Sequence, residues 1–169
     1  MRPTIFISYN SGVQQEETLA VRLQTIGAVN GFHTLLPDRF NHKSVVDRET
    51  INRIQESDYF LIFATSHHLS KIVEQEIEIA FQHFKDPSKI IVLYDPKGSD
   101  ITSSPNSNKL THITFNPHNE TVDLVIKKII AVINVEEKSK EKKEQQNGLL
   151  ALLGIGLGLW ALGSIINED

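Results

Sequence analysis

Two short apolar runs constrain this chain most: TIFISY at residues 4–9 and YFLIFA at residues 59–64. Each is too short for a helix and rich in β-branched and aromatic residues, so each predicts a buried strand. The second run is followed by SHHLSKIVEQEIEIA, residues 66–80, whose apolar residues recur at helical spacing. Strand followed by helix places Glu76 in the early turns of that helix. In an open parallel sheet, ligands bind beyond the carboxyl ends of the strands, where such a residue stands.

The same alternation runs along the chain. Further strands are expected at residues 32–36, 89–94 and 110–115. Helices are expected at residues 16–26, with Leu19, Leu23 and Ile26 on one face, and at 46–56, with Asp47 near the start and Ile51 and Ile54 inward. Residues 72–84 carry the cleanest stripe: Val73, Ile77, Ala80, Phe81 and Phe84. A last helix is expected at residues 120–135, aligned on Val122, Val125, Ile129 and Ile133. Residues 37–44 and 95–109 read as loops. Strand and helix in alternation predict an α/β fold, with every crossover long enough to be parallel and right-handed. The expected architecture is a flavodoxin-like, doubly wound, five-stranded parallel sheet of order 2-1-3-4-5.

The domain is expected to span residues 1–135. Residues 136–147, EEKSKEKKEQQN, have no apolar anchor and read as a charged linker or a continuation of the last helix. Residues 148–166 contain one polar side chain, Ser164, and predict a hydrophobic C-terminal helix. At that length it would span about 28 Å, close to the hydrocarbon thickness of a bilayer. Lys138, Lys140, Lys142 and Lys143 precede it, so the positive-inside rule places the domain in the cytoplasm, tethered to the inner membrane. Gly154 and Gly158 form a small-xxx-small face suited to helix pairing. A self-association segment, or a helix folded back on the domain, remains an alternative. Residues 4–9 are too short for a leader's apolar core, so no signal peptide is expected.

Composition narrows the function classes. Without cysteine there are neither disulfides nor thiolate metal sites. A net charge of −4 gives no electrostatic footprint for nucleic acid. The seven histidines are scattered, and His67-His68 is the single adjacent pair, so no metal site is expected. No glycine-rich phosphate loop and no nucleophile elbow occur.

Helical geometry reduces the candidate carboxylates to two. With Val73 at the origin, Glu76 falls at about −60° and Glu74 at about 100°, on opposite shoulders of the apolar stripe. Glu78, at about 140°, faces solvent. Spacing does not choose between Glu74 and Glu76, and all three also fit the solvated flank of an amphipathic helix.

FISY at residues 6–9, DYFLIFA at 58–64, Ser66 and the helix IVEQEIEIA resemble a Toll/interleukin-1 receptor (TIR) domain, over residues 4–135. The resemblance implies the NAD-cleaving type, in which a glutamate follows a tryptophan by four residues. It selects Glu76 as the catalytic residue and puts Ile72 where the tryptophan would stand. It implies NAD+ as substrate, with no separate cofactor, and cleavage of the nicotinamide–ribose bond to nicotinamide and ADP-ribose or a cyclic variant. Tyr9, Asn10 and Ser11 after strand one, and Ser66 after strand three, are expected at the substrate. Tyr9 also reads as the last core residue of its strand, and Ser66 as a helix cap. Residues 37–44 match the family's BB loop, which implies partner or phosphate contacts at Arg39, Phe40 and Lys43 and self-association between domains. The implied role is an assembly-activated effector of bacterial antiphage defence. Two alternatives stay open: a non-enzymatic scaffold, favoured by Ile72, and a nucleoside deoxyribosyltransferase-like enzyme.

Overall fold

The computed structural model describes residues 2–38, 45–66, 68–96, 109–116 and 119–146, with side chains to residue 139. The chain divides into two units, Met1–Val132 and Ile133–Asp169. The first holds the whole sheet. Of the second, the described part is helical.

Five parallel strands form one sheet of order β2-β1-β3-β4-β5. They are β1 (Thr4–Ser8), β2 (His33–Leu35), β3 (Tyr59–Ala64), β4 (Ile90–Tyr94) and β5 (Thr111–Thr114). The helices are α1 (Gln14–Val29), α2 (Arg48–Gln55), α3 (Lys71–His83) and α4 (Val122–Gln146). A short 3-10 turn, Pro87–Lys89, leads into β4. The expected fold and strand order are those observed.

Alternation along the strands sorts the core. Phe6, Phe60, Ile62, Ala64, Ile90 and Val92 join Ile54 of α2, Ala80 of α3 and Phe84 just after α3 in one buried cluster. Side chains next along each strand, including Ile5, Ile7, Leu61, Phe63, Ile91 and Leu93, are equally buried and point to the opposite face. There α1 contributes Leu19, Ala20 and Leu23, and α4 contributes Val125, Ile126 and Ile129. An ion pair between Arg22 and Asp123 at 3.2 Å sets α1 and α4 on the same side. Every residue of β3 is buried, as a central strand covered on both faces requires.

Several expected boundaries move. β1 ends at Ser8, one residue before Tyr9, and β2 keeps three residues. As an edge strand β2 pairs with β1 alone, in the register Thr4↔His33 to Phe6↔Leu35. α1 starts earlier and ends later than its apolar face suggested, closing where Gly31 takes φ +85. The charged stretch read as a linker is helical to Gln146 and continues α4. Its Glu, Lys and Gln residues have high intrinsic helix propensity. Among the described residues no helix is long and apolar enough to cross a membrane. The apolar run 148–166, with its expected span and pairing face, lies outside the described residues.

Candidate functional site

The carboxyl ends of β1 and β3 are neighbours, with Ser8 opposite Ile62. The strand order reverses here: the chain leaves β1 for β2 on one side and returns to β3 on the other. A crevice at such a switch point is where open α/β sheets bind ligands.

Glu76 comes to this edge from α3. The helix is started by Ser70, whose hydroxyl accepts from Val73 N–H. Glu76 is fully buried, whereas Glu74 and Glu78 are exposed. Packing thus places Glu76 inside and leaves Glu74 at the surface. Ser8 lies on the same side of the sheet as Phe6, which faces α2 and α3. Its hydroxyl consequently meets the helix, and it donates to Glu76 Oε2 at 2.5 Å. A carboxylate taken out of water needs such donors, because burial without them is costly.

Glu16, for which no role was expected, is also fully buried. α1 begins after Val13, whose side chain makes no capping bond. Two glutamates in the first turn instead reach back to the segment before the helix. Glu17 accepts from Gly12 N–H at 2.8 Å, and Glu16 Oε2 accepts from Asn10 N–H at 2.7 Å. Glu16 Oε1 accepts from the Thr65 N–H at 3.1 Å and the Thr65 hydroxyl at 3.0 Å, with Ser66 Oγ at 3.4 Å. One carboxylate thus ties the segment after β1 to the segment after β3.

Asn10 completes the tie and is buried. Its Nδ2 donates to Ser66 Oγ at 2.8 Å and to the His68 carbonyl at 3.3 Å. Its Oδ1 accepts from Ser70 N–H at 2.7 Å. Both amide atoms of this residue, expected at the substrate, are engaged within the protein. Ser66 belongs to the same network and does not cap α3; Ser70 does. Tyr9 is half-buried just past β1, and Ser11 is exposed. Arg39, Phe40 and Lys43 lie outside the described residues. Ile72, in the first turn of α3, is half-buried. Among the described residues no group of three or more His, Asp or Glu is placed to hold a metal ion.

This geometry sits on a fold found in solved structures. The structure of a CMP N-glycosidase, BcmB, from Clostridium botulinum is similar with a TM-score of 0.51 and 16% identity. The similarity covers 75% of this chain and 97% of that one. A prokaryotic SEFIR domain is similar with a TM-score of 0.53 and 18% identity, over 78% of this chain and 92% of that one. No family model and no curated protein matches the sequence. At these identities the two structures establish a shared fold.

Proposed function

We propose that this chain is an N-glycosidase that cleaves NAD+ between nicotinamide and ribose, with Glu76 as the carboxylate beside the ribose. The observation that carries the reading is a fully buried glutamate at the switch point of a parallel sheet, held by the hydroxyl that ends β1. The TIR resemblance supports the choice of substrate, and the fold shared with a CMP N-glycosidase supports the class of bond.

Breaking the N-glycosidic bond sends the bonding pair to the nicotinamide ring and leaves positive charge at C1′ and the ring oxygen. A carboxylate beside the ribose stabilises that charge as it develops. Nicotinamide leaves as a neutral base without a general acid. Water adds to C1′ and loses a proton, giving ADP-ribose; attack by the adenine of the same molecule gives a cyclic product. Tyr9, just past β1, stands where its ring would stack on a base.

The Glu76 side chain has no exposed surface, so substrate reaches it only after the atoms over it move. This fits an enzyme that is quiet as a monomer and turns over when assembled. Self-association through the domain and through residues 148–166, at a membrane, would supply that assembly in bacterial antiphage defence.

A second reading has a specific observation behind it: the glycosidase of like fold is named for CMP, a nucleoside monophosphate. The deciding experiment offers NAD+ and CMP separately to the concentrated protein and to Glu76→Ala, with products resolved by chromatography. Nicotinamide from the parent, reduced at least about 10²-fold in the variant, is the expected result. Cytosine release would transfer the reaction to nucleoside monophosphates. Turnover that survives Glu76→Ala would remove Glu76 from the chemistry, and silence on both substrates in the clustered protein would leave the scaffold.

A further inference from the structure

Ser8 and Asn10 are two residues apart, and each engages a different buried carboxylate. Ser8 binds Glu76 of α3, while the Asn10 N–H binds Glu16 of α1. Glu16 also holds Thr65 and Ser66 after β3. Asn10, fixed in this way, accepts from the N–H of Ser70, the residue that caps α3. α3 carries Glu76 between one and two turns further on. Both members of the Ser8–Glu76 pair are therefore placed by one network: Ser8 through the chain to Asn10, and Glu76 through the start of its helix.

We infer that Glu16, acting through Asn10, is the positioning residue that sets the Ser8–Glu76 geometry. Its kinetic consequence rests on the N-glycosidase reading, but its structural consequence does not. A carboxylate suits the task because it only accepts, and each of its bonds to the two loop segments comes from a donor. An amide of the same size fails. Whichever way Glu16→Gln turns, its NH2 group confronts either the Asn10 N–H or the Thr65 N–H and hydroxyl. The segments after β1 and β3 must then separate, and a displacement of about 1 Å at reacting groups costs up to about 10²-fold in rate.

The test compares Glu16→Gln with Glu120→Gln in the full chain. Glu120 is a control carboxylate at the connection from β5 to α4, where it accepts from Asn116 N–H at 3.0 Å and pairs with Lys128. The first readout is the titration of the Glu76 side-chain carboxyl, followed by 13C NMR. Glu16→Gln should raise its midpoint by about half a unit or more, because a weakened Ser8 hydrogen bond favours the protonated form, whereas loss of the Glu16 charge alone would lower it. Glu120→Gln, at equal loss of thermal stability, should leave it in place. The second readout is turnover: Glu16→Gln should lower kcat about tenfold or more with KM within about threefold. Equal titration shifts in the two variants, or none in either, would overturn the inference. If Glu16→Gln does not fold, Thr65→Val removes one donor to the same carboxylate and must shift the Glu76 midpoint; no shift overturns the inference. A parent that releases no base from any nucleotide ends the glycosidase reading, while the titration still decides the role of Glu16.

Discussion

Ser8 and Glu76 are 68 positions apart in the chain and share a hydrogen bond of 2.5 Å, with the serine as donor. The bond joins the end of the central strand β1 to the helix that follows β3. Ser8→Ala removes the donor while adding no bulk. The loss of a buried hydrogen bond costs about 1–3 kcal/mol of stability when its acceptor stays buried. Thermal unfolding should show this loss, and base release should fall about tenfold or more as the carboxyl loses its anchor. A Ser8→Ala protein that turns over at the parent rate would take Ser8 out of the site.

Thr34 offers the opposite effect. Its hydroxyl oxygen is buried and, among the described residues, has no hydrogen-bond partner. Replacing such a group by an apolar one of the same shape removes an unmet desolvation cost. Thr34→Val should therefore raise stability by about 1 kcal/mol, read as a higher urea midpoint at unchanged slope. If Thr34→Val destabilises, the hydroxyl has a partner that this picture omits.

The two cap residues should be unequal. Asp47 Oδ1 accepts from Thr50 N–H at 2.7 Å, whereas Ser70 Oγ stands 3.4 Å from Val73 N. Loss of an N-cap side chain costs about 1 kcal/mol on average, and the shorter bond should account for more of it. Denaturant titration of Asp47→Ala and Ser70→Ala should rank the first as the more damaging. The reverse order would mean that Ser70 acts chiefly through another bond.

Burial of Glu76 predicts a dependence on assembly. If the edge opens only when domains associate, turnover per chain should rise steeply with protein concentration and rise again when residues 148–169 are replaced by a forced oligomeriser. A specific activity independent of concentration from nanomolar upwards would count against activation by assembly.

The apolar run 148–166 predicts that the full chain stays with the membrane pellet through a carbonate wash. Release into the wash would assign the run to contacts within protein.

The sheet was legible because its strands are central. YFLIFA is apolar apart from the Tyr59 hydroxyl, and β3, buried on both faces, keeps the expected ends. β2 was less legible. An edge strand with one neighbour keeps few pairs, and hydrophobicity alone overstates its length. At the site, Glu76 and Glu74 stand on opposite shoulders of the apolar stripe; the resemblance chose between them, and the packing of α3 against β1 buries Glu76 alone. Asn10 read as a ligand contact because it follows a strand at the binding end. Its engagement with Ser66, His68 and Ser70 depends on distant chain meeting it, which no local pattern encodes. Glu16 was passed over because glutamate in a first helical turn is ordinary as a complement to the helix dipole.

The chain between Ser8 and Asn10 has a fixed length as well as a fixed composition. Side chains in a strand alternate sides, so removing one residue from β1 would carry the serine hydroxyl to the face of α1 and α4 and leave Glu76 opposite an apolar neighbour. Adding one residue after Ser8 would instead move Asn10 out of reach of Glu16. These three positions form a ruler whose divisions cannot be renumbered.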